Sequence, residues 1–265
     1  MLTIAVHFRN MAPLTPSCLK SVLGAVADFG RPKDFEFLFV DDTSDPGREV
    51  APMLLEARPQ VPSRVRILQF TRHQHYCRAC AYSFSLAQGD LLFVSPDMIL
   101  TPHCIERMRQ VAALDPSHGV VRACSNHVDC FPHHIVQPPQ PPRNIADVRL
   151  FSRLVSDQMG DAFQEDPFLV GDVMLVRRDV LDRVGAMDGR YYGYFGDVDY
   201  GLRAQHAGYR LVCAKGAWLL HEGAGFYVNE ARARQVDYEI IHRERMRTVN
   251  EAYRLFREKW DSSLP

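Results

Sequence analysis

Phe35-Glu36-Phe37-Leu38-Phe39-Val40-Asp41-Asp42 is the stretch on which the fold turns, a nearly continuous apolar run that breaks on two acids. Such a run suits a strand buried on both faces of a sheet. The next residues, Thr43-Ser44-Asp45-Pro46, are turn chemistry. Acids at the carboxyl end of a strand stand where open α/β sheets bind their ligands.

Working outward, residues 2–8 read as another short apolar strand, and residues 18–29 carry Leu19, Val22, Leu23 and Val26 at helical spacing. Downstream, residues 49–58 read as a polar helix, 64–70 as a strand, 76–87 as a helix and 91–94 as the most apolar strand. That strand runs into Ser95-Pro96-Asp97, a second acidic strand end. Thr101 and Pro102 open a helix reaching residue 114, and residues 119–124 form a further strand. The alternation predicts a mostly parallel sheet with helices on its faces.

Residues 131–142 hold five prolines and two adjacent histidines, which reads as a surface loop between two halves or as a linker. Beyond it the pattern predicts a helix at 146–159, a strand at 169–177, a short helix at 178–184 and two short strands at 208–213 and 217–221. Charged residues with apolar positions at helical intervals over 230–260 predict an amphipathic helix or helix pair. Between them lies Tyr191-Tyr192-Gly193-Tyr194-Phe195-Gly196-Asp197-Val198-Asp199-Tyr200-Gly201-Leu202-Arg203. Its two acids read either as a helix cap and solvated surface, or as the wall of a pocket in which an acid serves as a base.

The chain has 265 residues, 46% hydrophobic and 24% charged, with a formal net charge of -1, the balance of an ordinary globular protein. That charge gives no electrostatic case for a nucleic-acid partner. No apolar run approaches a membrane span and no signal-peptide pattern opens the chain, so a cytoplasmic location is expected, with peripheral membrane association left open. Seven scattered cysteines suit reduced thiols better than a disulfide framework. His73-x-His75-x-Cys77-x-x-Cys80, with Cys124, His127, Cys130 and His133 further on, offers zinc-ligand types. Against it, the region falls on a strand end and a helix, where side chains need not converge. No Walker-type or dinucleotide-binding glycine motif is present. A diphosphate site then falls to a divalent cation held by carboxylates, for which Asp41, Asp42, Asp97, Asp197 and Asp199 are the acidic stations.

These residues resemble the inverting GT-A glycosyltransferases of family 2, and most closely their rhamnosyltransferase-like branch. Phe39-Val40-Asp41-Asp42-Thr43-Ser44-Asp45 is similar to the family's Val-Asp-Asp-Gly-Ser-x-Asp, and Ser95-Pro96-Asp97 resembles the branch's Asn-Pro-Asp. From Gly171 the family order continues through Arg177-Arg178, Val184-Gly185, Met187-Asp188 and the aromatic turn to Gly196-Asp197-Val198-Asp199 and Arg203. His221-Glu222-Gly223 resembles the closing His-x-Gly. The resemblance implies a GT-A fold: one mixed, mostly parallel sheet flanked by helices, with residues 1–125 as the nucleotide-sugar half and 126–228 as the acceptor half. Residues 229–265 would be a C-terminal helical extension.

It also implies an inverting transfer from a nucleoside-diphosphate sugar to a glycan or glycolipid acceptor, of the kind used in polysaccharide synthesis. Asp197 would be the base; Asp199, Tyr194, Gly171 and Asp172 would hold the acceptor. His7, Arg9, Asp41, Asp42 and Arg203 would hold the donor, and Asp97 and His221 a Mn²⁺ or Mg²⁺ ion. Three departures stand out: Gly196 replaces the usual Glu, Ala81 a common Asn, and Val6-His7-Phe8-Arg9 the common x-x-Tyr-Asn. Two rivals are a sugar nucleotidyltransferase, which would need a glycine-rich loop absent from residues 9–16, and a catalytically silent binding module. Sugar, nucleobase, acceptor and oligomeric state are not written in the sequence.

Overall fold

The computed structural model of the chain describes residues 1–11, 13–46, 49–58, 62–128, 130–223 and 225–261. Its amino-terminal half alternates strand and helix: β1 (Leu2–Phe8), α1 (Thr15–Ala27), β2 (Phe35–Asp41), α2 (Ala51–Ala57), β3 (Arg64–Gln69), α3 (His75–Leu86) and β4 (Asp90–Val94). β1 and β2 are buried at every position, as their unbroken apolar runs require. β1 pairs in parallel with β2 on one side and β4 on the other, and β2 pairs in parallel with β3.

The order 3-2-1-4 places the reversal of strand order between β1 and β4, the crevice where doubly wound sheets take ligands. Beyond β4 the sheet turns mixed. The two-residue β5 (Met98–Ile99) leads into α4 (Pro102–Leu114), whose Thr101 cap accepts the Cys104 N–H. β6 (His118–Ser125), α5 (Ile145–Met159), β7 (Phe163–Glu165), β8 (Val173–Val176), α6 (Arg178–Val184), α7 (Gly196–His206) and β9 (Arg210–His221) come next. β8 lies antiparallel between β4 and β6, β9 runs parallel to β6, and the nine-stranded order is β3-β2-β1-β4-β8-β6-β9-β5 with β7 on β9.

Several boundaries differ from the sequence reading. The expected strand at 169–177 is regular only over Val173–Val176. The two strands expected at 208–213 and 217–221 are one strand, β9, because a register shift against β6 after Ala123 absorbs the intervening residues without breaking the ladder. The charged tail forms a helix pair, α8 (Gly225–Arg234) and α9 (Tyr238–Trp260). The boundary expected at residue 228 therefore falls inside α8, and residues 262–265 lie outside the described residues. No described helix is long and apolar enough to cross a membrane.

Candidate active site

A cavity of ≈ 580 Å³ opens at the carboxyl ends of β1, β2 and β4. His7 reaches it from β1, Arg9 from just beyond β1, Asp42 from just beyond β2, and Asp97 from the turn after β4. Asp42 is fixed by the Gln74 N–H at 2.6 Å and lies 3.4 Å from His73 Nε2. Burial holds its carboxyl above the usual aspartate range, against the Gln74 hydrogen bond and the Arg9 charge. Burial also pushes His73 down to about 4, so the imidazole is neutral beside that acid. Arg9 donates to the carbonyls of Asp42 and Thr43, tying the ends of β1 and β2 together. Thr43 holds φ 57°, the left-handed region, at the position where the resembled motif carries glycine.

Asp41 does not face this cavity. Neighbouring residues of a strand point to opposite sides, and the Asp41 carboxylate turns inward to accept from the Ser44 N–H, the Ser44 hydroxyl and the Ala51 N–H at the start of α2. Its expected donor role is replaced by a structural one. His7 contributes ring surface rather than charge: its Nε2 lies 2.7 Å from Ser83 Oγ, and burial lowers it to about 3.

Next to Asp97, β5 and β9 pair Met98 with His221. This register sets His221 Nε2 3.3 Å from Asp97 Oδ2, while its Nδ1 lies 3.2 Å from the His127 carbonyl. Burial opposes a charge on His221, but the Asp97 hydrogen bond and the charges of Asp97 and Asp172 carry it up to about 9. Asp172 itself accepts two hydrogen bonds from the buried Arg122, at 3.0 and 3.1 Å, and its backbone carbonyl takes the Ser95 N–H. It is thus held by Arg122 and is not among the residues that line the cavity.

The acids of α7 separate. Asp197, at the first turn, accepts the Gly171 N–H on Oδ2 at 2.8 Å and the Val198 N–H on Oδ1 at 2.9 Å. Burial raises its carboxyl above the usual range despite these N–H groups. It stands behind Tyr76, a cavity-wall residue whose hydroxyl donates to the Gly171 carbonyl at 2.6 Å. A Cβ on Gly171 would lie 2.5 Å from that hydroxyl and 3.0 Å from Asp197 Cβ, so this close approach needs glycine. At Gly196 a Cβ would lie 2.2 Å from Cys77 Sγ, which explains why no glutamate stands there.

Asp199 is 0% exposed and accepts from Arg203 Nε and Trp260 Nε1, each at 2.9 Å, with Lys259 Nζ at 2.6 Å. It cannot touch an acceptor. Arg203 is likewise engaged, donating one N–H from each terminal nitrogen to the carbonyls of Val184 and Ala186. The expected acceptor role of Asp199 and donor role of Arg203 are thereby corrected to a brace between α7 and α9.

The sequence reading missed the far wall. Tyr227, Glu230 and Arg234 from α8 and Ile241, Glu244 and Arg245 from α9 line the cavity opposite Asp42. The Tyr194 hydroxyl hydrogen-bonds that of Tyr227, and the Arg245 guanidinium lies over both rings, 5.5 and 4.8 Å from their centroids. Only the apolar periodicity of the tail hinted that it packs on something. The zinc-like run His73 to Cys80 does not converge: His73 and His75 reach the cavity, whereas Cys77 and Cys80 are buried under α3.

Strand order, crevice and helical flanks together define the GT-A arrangement, which recurs in solved structures. The chain aligns over 92% of its length, and 68% of the other chain, with a mannosyltransferase from Pyrobaculum calidifontis in complex with GDP-Man and Mn²⁺, at TM-score 0.59 and 18% identity. A GalNAc-T7 structure with UDP, GalNAc and Mn²⁺ matches 83% of this chain and 43% of its own, at TM-score 0.61 and 10% identity. S. aureus TarS 1-349 in complex with UDP matches at TM-score 0.57 and 16% identity, over 86% of this chain and 62% of its own.

The chain belongs to the glycosyltransferase-like family 2, whose model matches residues 5–251. Among curated proteins it is 42% identical over 57 residues to an N-acetylglucosaminyl-diphospho-decaprenol L-rhamnosyltransferase of Mycobacterium tuberculosis (strain CDC 1551 / Oshkosh), a match spanning 22% of this chain and 19% of that relative.

Proposed function

We propose that this protein is an inverting glycosyltransferase that moves a sugar from a nucleoside-diphosphate sugar to an acceptor hydroxyl of a glycan or glycolipid. The observation that carries the proposal is the convergence of Asp42 and Asp97 on one crevice at the reversal of strand order, with Asp197 behind its wall. Structures of the same fold hold GDP-Man or UDP.

In this reading Asp42 and Arg9 position the nucleoside end of the donor. Asp97 and His221 would hold a divalent cation: a carboxylate and an imidazole 3.3 Å apart are a donor set suited to Mn²⁺. Bound there, the cation would offset charge on the departing diphosphate. Asp197 accepts the proton of the acceptor hydroxyl as that oxygen attacks the anomeric carbon. A carboxylate is too weak to deprotonate an alcohol beforehand, but a positioned one takes the proton in the transition state, and burial makes this one more basic. Tyr192 and Tyr194 supply aromatic faces for a sugar ring.

The test is a thermal-shift screen of nucleoside-diphosphate sugars with Mn²⁺, with Mg²⁺ and with chelator, followed by release of nucleoside diphosphate from the best binder. A ligand at 100 times its Kd stabilises by about 2.7 kcal/mol, a shift of several degrees. One donor should stabilise only with the cation and be turned over with an acceptor. Stabilisation without any turnover would favour the silent binding module, and full turnover in chelator would remove the cation from the proposal.

A further inference from the structure

Away from the cavity walls, three side chains that no feature of the sugar site uses come together. Cys124 lies next to the last residue of β6, Cys213 lies on β9, and His134 closes the single helical turn Pro132–His134 at the start of the proline-rich loop. All three are buried, and their ligand atoms lie within 4.8 Å of one another. The two sulfurs are 3.7 Å apart. A tetrahedral ion with Zn–S bonds of about 2.3 Å sets its sulfurs about 3.8 Å apart.

The histidine is already oriented as a ligand. Its Nε2 lies 2.6 Å from Oδ1 of the buried Asp166, and its Nδ1 lies 3.0 Å from Lys215 Nζ. A lysine ammonium only donates. In the neutral ring Nδ1 therefore carries the lone pair and Nε2–H donates to Asp166. This is the carboxylate–histidine arrangement that fixes the tautomer of metal-bound imidazoles. The hydrogen bond from Cys213 outweighs burial and lowers the Cys124 thiol, while burial raises Cys213. Thiolate is the form that binds metal.

We infer that Cys124, Cys213 and His134 form a zinc site that ties the start of the proline-rich loop to β6 and β9. Zn²⁺ binds the Cys124 thiolate, displaces the proton of the Cys213 thiol to solvent and takes the Nδ1 lone pair, and the Lys215 ammonium swings off into solvent. Two thiolates then neutralise the ion, and Asp166 and Lys215 balance each other. Water fills the fourth position. Two sulfurs and an imidazole select a borderline-soft cation over Mg²⁺ or Ca²⁺.

The experiment is a titration of the reduced, chelator-stripped full chain with Co²⁺, then competition with Zn²⁺. One equivalent should produce a sulfur-to-cobalt charge-transfer band, which Zn²⁺ abolishes. The band should persist in Asp97→Ala, which alters only the proposed sugar-site cation, and fall by about half or more in Cys213→Ser and in Cys124→Ser. Zn²⁺ should also raise the melting temperature of the wild type. No thiolate band in the wild type, where no variant can misfold, overturns the inference. So does a band undiminished in both serine variants, which would place it on the exposed Cys130.

Discussion

Asp197 and Asp199 show how much a two-residue spacing decides. On a helix of 100° per residue they lie on opposite sides: Asp197 turns to Gly171 behind the cavity wall, Asp199 to Trp260 and Lys259. Asp41 and Asp42 part in the same way at a strand end. Acidic stations were thus legible in the sequence, but which acid of each pair faces the ligand was not, because that depends on where the element's other side packs. Arg203, four residues after Asp199, shares its face. At this scale we expect Asp197→Asn to lower kcat at least a hundredfold while leaving nucleotide-sugar affinity within about twofold. An asparagine amide cannot accept both the Gly171 and Val198 N–H groups, so a loss of about 1 kcal/mol in stability should accompany it. Steady-state kinetics beside a melting curve separates the two effects. Unchanged turnover would remove Asp197 as the base.

The element that reorganises the picture is α9. It braces α7 through Asp199 and packs Tyr253 and Phe256 against Phe195, ring centroids 5.4 and 5.3 Å away. Phe195 caps α7 at φ 60°, a left-handed conformation that a non-glycine residue holds at a cost of about 1–2 kcal/mol. That strain sits two residues before the proposed base. The apolar periodicity of the tail made its helices readable, but nothing in it named α7 as the partner, since the contact is tertiary and its polar anchor lies some sixty residues upstream. Trp260→Phe keeps an apolar ring and removes the indole N–H that reaches Asp199. We expect a stability loss of about 1–2 kcal/mol, a melting point lower by roughly 2–8 °C, and a several-fold fall in kcat with donor affinity little changed. Lower stability with unaltered kcat would make α9 a prop for the fold and not for the site.

For the molecule as a whole, the alternation of strand and helix made the layers readable in advance, and the reversal of strand order between β1 and β4 located the crevice. The antiparallel insertion of β8 between β4 and β6 was invisible to periodicity, because a fully buried strand reads alike in either direction. β1, inside the sheet, holds a titratable ring, His7, that is largely buried at the base of the cavity. His7 contacts Ser83, Cys80 and the edge of Phe93, and burial takes it from 6.5 down to about 3. Between those two values the unfolded chain binds a proton that the folded chain refuses. The stability contribution is therefore complete above pH 6.5 and is lost as the pH falls towards 3. The loss is on the order of 4 kcal/mol, a large share of a typical domain's stability. Urea unfolding measured from about pH 7 to about pH 3.5 should show this decline, and His7→Gln, which keeps a polar partner for Ser83 without a proton to gain, should flatten it. An equally steep acid decline in the variant would assign the acid sensitivity to other groups.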